Sequence, residues 1–324
     1  MATSTPRVLS VQSHVVNGYV GQKCAVLALN RLGFDVDALN TVMLSNHTGY
    51  PTCTGQRLSG HDVKELWDGM QANGLTNHTH VLSGYIGDAS VVEQLAAIVS
   101  SLPGRREYVA DPVFGDEGKL YVPSAIPEKF EELLLPLATV LTPNDFEVEV
   151  LTGVRISTLA DAARACGVLF DKGPLLRTVV ITSCSLSTGE VTLIASIRES
   201  AEAGRILVSR VARLDGYFTG TGDLLAALLL GWLHRYPESN EEDLRRAVDH
   251  AVAGLQAVLR DTHRHTGERR GERKQDDRAW WSRRDLRLVQ NQDSLLHPPE
   301  ALLIEVASQW VGAMGQRGGE DDRR

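Results

Sequence analysis

Cysteine is scarce in this chain: Cys24, Cys53, Cys166 and Cys184 are all it has, with no C-x-x-C pair and no partner at zinc-ligand spacing. That pattern argues against a disulfide framework and against a structural zinc, and it suits a reducing compartment. Long apolar runs are missing too. The longest, Leu224 to Leu233, is too short to span a bilayer. Residues 1–6 lead straight into a strand-like run without the apolar core of a secretory signal. A cytoplasmic protein with no membrane partner is therefore expected, and the sequons at Asn46 and Asn77 read as ordinary residues. Basic charge is in deficit: 33 Lys and Arg stand against 41 Asp and Glu, a formal net charge of -8, so no nucleic-acid partner is expected. No G-x-x-x-x-G-K-[ST] loop is present, and Gly115 to Lys119 resembles only a fragment of one. Nor does the dinucleotide-binding glycine fingerprint follow the first strand, where the chain reads Ser13 to Gly18 instead.

What the chain does have is length and core material: 324 residues, 43% hydrophobic, enough for a substantial buried interior. Short apolar runs alternate with amphipathic segments, the pattern of repeated βαβ units around a mostly parallel sheet. Strands are predicted at Arg7–Gln12, Val36–Leu44, His80–Ser83, Tyr108–Ala110, Thr139–Leu141 and Thr178–Ile181. Helices are predicted at Gly21–Leu32, Val63–Ala72, Val91–Ser101, Pro127–Leu135 and Leu159–Phe170. Val191–Ile197 and Arg205–Val211 then read as an antiparallel edge, followed by helices Thr221–His234 and Glu241–Arg260.

Residues 261–284 are heavily charged with almost no apolar periodicity, and they read as a mobile surface insertion. Only Trp280 and Trp281 do not fit that description. A strand at Leu286–Gln290 and a helix at Glu300–Met314 are expected to resume the fold, making 1–315 one domain with an insertion and 316–324 a disordered tail.

In open α/β sheets ligands bind outside the carboxyl ends of the strands. Polar residues follow six of the predicted strands here: Ser13, Ser45 to Thr48, Tyr85, Asp111, Thr142 to Asn144, and Thr182 with Ser183. Each alone reads as a cap or turn residue; together they form a polar rim. Gly220, Thr221, Gly222 and Asp223 open a very apolar helix. The glycines let backbone N–H groups converge, and the helix N-terminus adds positive potential, so an anion is favoured there. Asp223 is either an N-cap or, beside such an anion, the acceptor of a nucleophile's proton in phosphoryl transfer. Asp111, Asp116, Asn144 and Glu147 offer oxygen ligands to a cation, with a capping box as the other reading of Asn144 and Glu147.

These motifs resemble the ribokinase-like superfamily from Arg7 to about Val311: Arg213 to Asp215 followed by Gly220 to Asp223, Thr142 to Glu147, and Asp111 to Val113. Within it, Ser13 to Gly21 and Ser45 to Tyr50 closely resemble the pyridoxal kinases. The resemblance implies an α/β three-layer sandwich with a mostly parallel sheet and ATP-dependent phosphorylation of pyridoxal by a homodimer, with pyridoxine and pyridoxamine as further substrates. It implies Asp223 as general base, with Gly220, Thr221 and Gly222 as the anion hole. Pyridoxal would be held by Ser13, Thr48 and Asp223, with Val20, His47 and Tyr85 lining its pocket. ATP would be held by Asp111, Asn144, Glu147, Thr182, Ser183, Leu214, Asp215, Gly216 and Thr221. Asp116 would serve Mg²⁺, and Asp111, Thr142, Glu147 and Thr182 a monovalent cation, Na⁺ or K⁺. Two departures stand out: the segment after Asp116 is short, and the charged insertion is long.

The rivals are a hydroxymethylpyrimidine kinase, which would share Asp223 and the anion hole but differ at Ser45 to Tyr50, and a silent module that binds the vitamer without turnover. Joint retention of Asp223, both glycines and the carboxylates weighs against the second.

Overall fold

A computed structural model describes residues 5–104, 106–199, 205–266, 278–303 and 306–310. The expected tail at 316–324 lies outside them. The strands of the main sheet are β1 (Arg7–Val15), β2 (Asp35–Leu44), β3 (Gly55–Arg57), β4 (His80–Ser83), β5 (Glu107–Ala110), β8 (Val140–Leu141), β9 (Thr178–Cys184), β10 (Glu190–Ile197), β11 (Arg205–Ala212) and β12 (Ala307–Trp310). Between β5 and β8 a small hairpin pairs β6 (Gly115–Asp116) with β7 (Lys119–Leu120). The sheet order is β12-β11-β10-β9-β8-β5-β4-β1-β2-β3. Pairing from β2 through β9 is parallel, and both edges are antiparallel.

The parallel strands are apolar on both sides because helices cover both faces. Adjacent residues therefore enter different cores. Val8, Val109 and Val180 join the core beneath α1 (Gln22–Arg31), α7 (Thr221–Arg235) and α8 (Glu241–Thr266). Their neighbours Leu9, Ala110 and Ile181 join the core beneath α2 (Gly60–Ala72), α3 (Ala89–Ser101), α4 (Ala125–Lys129), α5 (Asp145–Thr152) and α6 (Leu159–Lys172). From β1 the chain runs to β2 on one side and later to β4 on the other, so strand order reverses at β1. The crevice at such a switch point, outside the carboxyl ends, is where a ligand fits.

Three expectations are corrected. Leu286–Gln290 is not a strand: Leu286 and Leu288 are fully buried in the α7/α8 core, but Leu288 N–H closes a tight turn onto the Leu286 carbonyl, and Val289–Asn291 is a 3₁₀ turn. Alternating leucines gave a β pattern to a segment with no strand beside it. Among the described residues of Glu300–Met314, only Glu300–Leu302 is helical, as a 3₁₀ turn; Ala307–Trp310 is strand β12, paired with β11, and 304–305 and 311–314 lie outside the described residues. The open edge of β11 supplies backbone partners that override local preference.

The third concerns the insertion. Residues 261–266 continue α8, with Thr262 fully buried and its hydroxyl donating to the Val258 carbonyl at 2.8 Å. Trp280 and Trp281, on the short helix α9 (Arg278–Ser282), are only 8% and 9% exposed. The reading of 261–284 as surface therefore fails at Thr262, Trp280, Trp281 and Arg284, while Arg264, His265, Ser282 and Arg283 are exposed and 267–277 lie outside the described residues.

Candidate active site

Helix α7 starts at Gly220, whose φ of 85° is left-handed and open to glycine at little cost. A Cβ there would collide with the Tyr19 carbonyl, so the turn after β1 packs directly on the start of α7. Gly21, at φ 51°, is a second close approach: a Cβ would strike the Ser13 carbonyl and hydroxyl. The Gly21 N–H donates to Asp223 Oδ2 at 2.8 Å. Ser13 hydroxyl, Gly21 amide and Asp223 carboxylate are thus successive neighbours, beside the first helical N–H groups of α7, which have no intrahelical acceptor. Asp223 keeps partial contact with solvent in the cleft, and burial raises its carboxyl while the Gly21 hydrogen bond holds it down.

Asp111, just past β5, approaches from the opposite side. Its Oδ2 lies 3.9 Å from where a Gly222 Cβ would be. Burial, then repulsion from Asp223, pushes Asp111 up to about 7, against the hydrogen bond donated by the Thr142 hydroxyl at 2.8 Å. Glu147 is buried and raised by burial and by Asp111. The capping box at Asn144 and Glu147 is real: Asn144 Oδ1 accepts from Glu147 N–H at 2.8 Å, and Glu147 Oε2 accepts from Asn144 N–H at 2.9 Å. Glu147 Oε1 also takes the Phe114 N–H at 2.9 Å. One carboxylate therefore ties the start of α5 to the segment bearing Asp111. Asp116 is exposed at the hairpin, where Glu117 and Gly118 both have positive φ, 49° and 76°, the signature of a tight two-residue turn.

Do these residues fit a cation? The donors are carboxylate and hydroxyl oxygens, the choice of a hard ion, and a run of carboxylates in which Asp223 raises Asp111 and Asp111 raises Glu147 is relieved by a positive charge. Among the described residues no three His, Cys, Asp or Glu side chains form a complete cage. Such a set suits an ion that takes its other ligands from phosphates and water.

On the far side of Ser13, Val20 is buried and His47 is 7% exposed. Burial lowers His47 to about 4, so it is neutral, and its Nδ1 accepts the Gly49 N–H at 3.1 Å. Thr48 is exposed, and Tyr85 is half-buried with its carbonyl held by the Thr41 hydroxyl at 2.7 Å. Thr182 and Ser183 are half-buried at the end of β9, where Thr182 N–H donates to the Pro143 carbonyl at 2.9 Å. Leu214 is half-buried, while Asp215 and Gly216 are exposed on the approach to α7.

The phosphomethylpyrimidine kinase family model matches residues 75–272. A pyridoxal kinase of Arabidopsis thaliana is 43% identical over 315 residues, 94% of this chain and 96% of that one. The chain belongs to the pyridoxal kinase family. The Homo sapiens pyridoxal kinase is 40% identical over 271 residues, 79% of this chain and 85% of that protein. The structure of a Leishmania donovani pyridoxal kinase in complex with ADP and pyridoxamine superimposes with a TM-score of 0.83 at 34% identity, covering 94% of this chain and 99% of that one. The ribokinase-like sandwich expected from the motifs is the fold observed.

Beyond the residues expected for a pyridoxal kinase, the structure adds Tyr121, whose phenol is raised by burial and then by the charges of Glu147, Asp111, Asp116 and Asp223, and Trp281 and Asp285, which reach His47 and Tyr50. For Trp281 the signal was present: a tryptophan pair in an otherwise charged stretch has no reason to stay in water.

Proposed function

We propose that the protein performs ATP-dependent phosphorylation of B6 vitamers with Asp223 as general base. The 5′-hydroxyl of pyridoxal gives its proton to Asp223, its oxygen attacks the γ-phosphorus, and the bond from that phosphorus to the bridging β-oxygen breaks to release ADP. The single observation that supports this best is the Gly21 N–H on Asp223 Oδ2, which leaves Oδ1 for the substrate proton and fixes the base beside the helix start. Burial that raises the carboxyl makes it a stronger proton acceptor. The N–H groups of Gly220 to Gly222 lie where charge on the transferred phosphoryl group is stabilised.

Ser13 and Thr48 supply polar contacts to pyridoxal, and Val20, His47 and Tyr85 its walls. Asn144, Thr182, Ser183, Thr221 and the Leu214 to Gly216 approach border the nucleotide. Asp116 would hold Mg²⁺, and Asp111, Thr142, Glu147 and Thr182 a monovalent cation; when bound, these ions neutralise the phosphates. A cytoplasmic homodimer belongs to the same reading, and sedimentation at working concentration checks the dimer.

The deciding experiment offers pyridoxal, pyridoxine, pyridoxamine and hydroxymethylpyrimidine separately and follows ATP consumption. Turnover of the B6 vitamers at least tenfold above hydroxymethylpyrimidine is expected. The pyrimidine is a serious rival because the matching family model describes a kinase of that class; the reverse preference overturns the assignment.

A further inference from the structure

Two glycines in the substrate-reading loops are crowded from the same direction. A Cβ on Gly18 would lie 2.6 Å from Asp285 Oδ1, and one on Gly49 would lie 2.8 Å from Trp281 Cζ3. Gly18 belongs to the Ser13 to Gly21 turn, Gly49 to the Ser45 to Tyr50 loop, and the two intruding side chains sit four residues apart in one short stretch. Both loops are shaped to receive it.

Trp281 is 9% exposed, and its ring lies 5.6 Å from His47, 5.8 Å from Tyr50 and 5.5 Å from Tyr217, centroid to centroid. Tyr217 stands between Gly216 and Gly220, so one indole touches both the substrate loop and the approach to the anion hole. The neighbouring Trp280 packs edge-on against that indole, ring centroids 4.7 Å apart, and is itself held in place. Arg284 stacks its guanidinium 3.2 Å from the ring centroid of Trp280 and donates to the Trp280 carbonyl at 2.6 Å. Asp285 faces the same loop: Tyr50 OH lies 3.5 Å from its Oδ2 and His47 Nε2 lies 4.0 Å from its Oδ1. Because His47 Nδ1 is an acceptor, the ring hydrogen of neutral His47 is on Nε2, facing Asp285.

We propose that residues 281–285 form a wall of the vitamer pocket, in which Trp281 is a specificity-determining side chain and Asp285 positions His47 and Tyr50. The inference rests on the assignment of His47 and Thr48 to the vitamer. Trp281 limits the space beside His47 and keeps the substrate loop in register with the phosphate-binding turn, so its loss loosens vitamer binding while ATP contacts on the far side persist.

Trp281→Ala, Trp281→Phe and Asp285→Asn in the full chain test this, with steady-state kinetics for pyridoxal and ATP and a titration of tryptophan emission with pyridoxal alone. Trp281→Ala should raise KM for pyridoxal about tenfold, with KM for ATP changed less than about twofold. Asp285→Asn should raise KM for pyridoxal several-fold with kcat unchanged, a split that general destabilisation would not produce. Trp281→Phe keeps the packing and should retain near-normal KM while losing most of the pyridoxal-dependent quench, which keeps the test open should the alanine variant fold poorly. Unaltered pyridoxal KM in both Trp281→Ala and Asp285→Asn, or a full quench in Trp281→Phe, would overturn the wall. Wild-type protein that ignores pyridoxal and phosphorylates hydroxymethylpyrimidine would instead overturn the substrate assignment on which it rests.

Discussion

Gly21 and Asp223 are 202 positions apart and share one hydrogen bond of 2.8 Å, which joins the turn after the first strand to the first turn of helix α7. Asp223→Asn keeps an oxygen to accept that bond but cannot take a proton from a nucleophile. Turnover should fall roughly 10²–10⁴-fold while pyridoxal and ATP still bind. Near-normal kcat in this variant would remove Asp223 from the role of base.

Gly21→Ala attacks the same junction from its other side. A methyl group at φ 51° is strained and strikes the Ser13 backbone, which cannot withdraw without shifting the strand. The turn must move, and with it the donor on Asp223. We expect kcat to fall at least about tenfold, one unit of 1.4 kcal/mol in barrier, in protein that still folds; an active variant would show that the turn tolerates displacement.

Asp111 predicts how pH and cations interact. Its carboxyl is raised from 3.8 to about 7 in the folded state, first by burial and then by Asp223. The folded chain thus binds this proton more tightly than the unfolded chain. Stability from the group is complete below about pH 4 and is lost as pH rises towards 7. A bound cation takes the proton's place, so Na⁺ or K⁺ should raise Tm more at about pH 8 than at about pH 5, and Asp111→Asn should flatten that difference. Equal cation effects at both pH values would argue against ion binding at Asp111.

Thr48 is exposed in the cleft loop, where its hydroxyl can meet a ligand without disturbing the core. Thr48→Val should raise KM for pyridoxal several-fold, the worth of a hydrogen bond of about 0.5–1.5 kcal/mol, and spare KM for ATP. A variant that weakened ATP alone would exchange the two halves of the site.

Trp280 turns an expectation from composition around. Deleting 263–283 as a dispensable loop would remove the buried Trp280 and Trp281 and the contacts of Arg284. Trp280→Ala alone should cost about 3 kcal/mol, read as a Tm lower by several degrees in a thermal melt. An unchanged Tm would return the segment to the surface.

The motifs and the strand pattern determined much from sequence alone: alternating apolar runs fixed the parallel centre because each strand must satisfy two helix layers, and the glycines at 220 and 222 marked the helix start where backbone N–H groups converge. The Asn144 and Glu147 pair was equally legible as a local capping box. Tertiary structure alone decided the rest. Ala307–Trp310 became a strand because β11 offered an open edge, Leu286 and Leu288 because a helical core needed filling lost their strand, and the tryptophan pair turned inward because His47, Tyr50 and Tyr217 were there to receive it. In each case the deciding partner lies far away along the chain, so the energy that fixes the segment is absent from the segment's own residues.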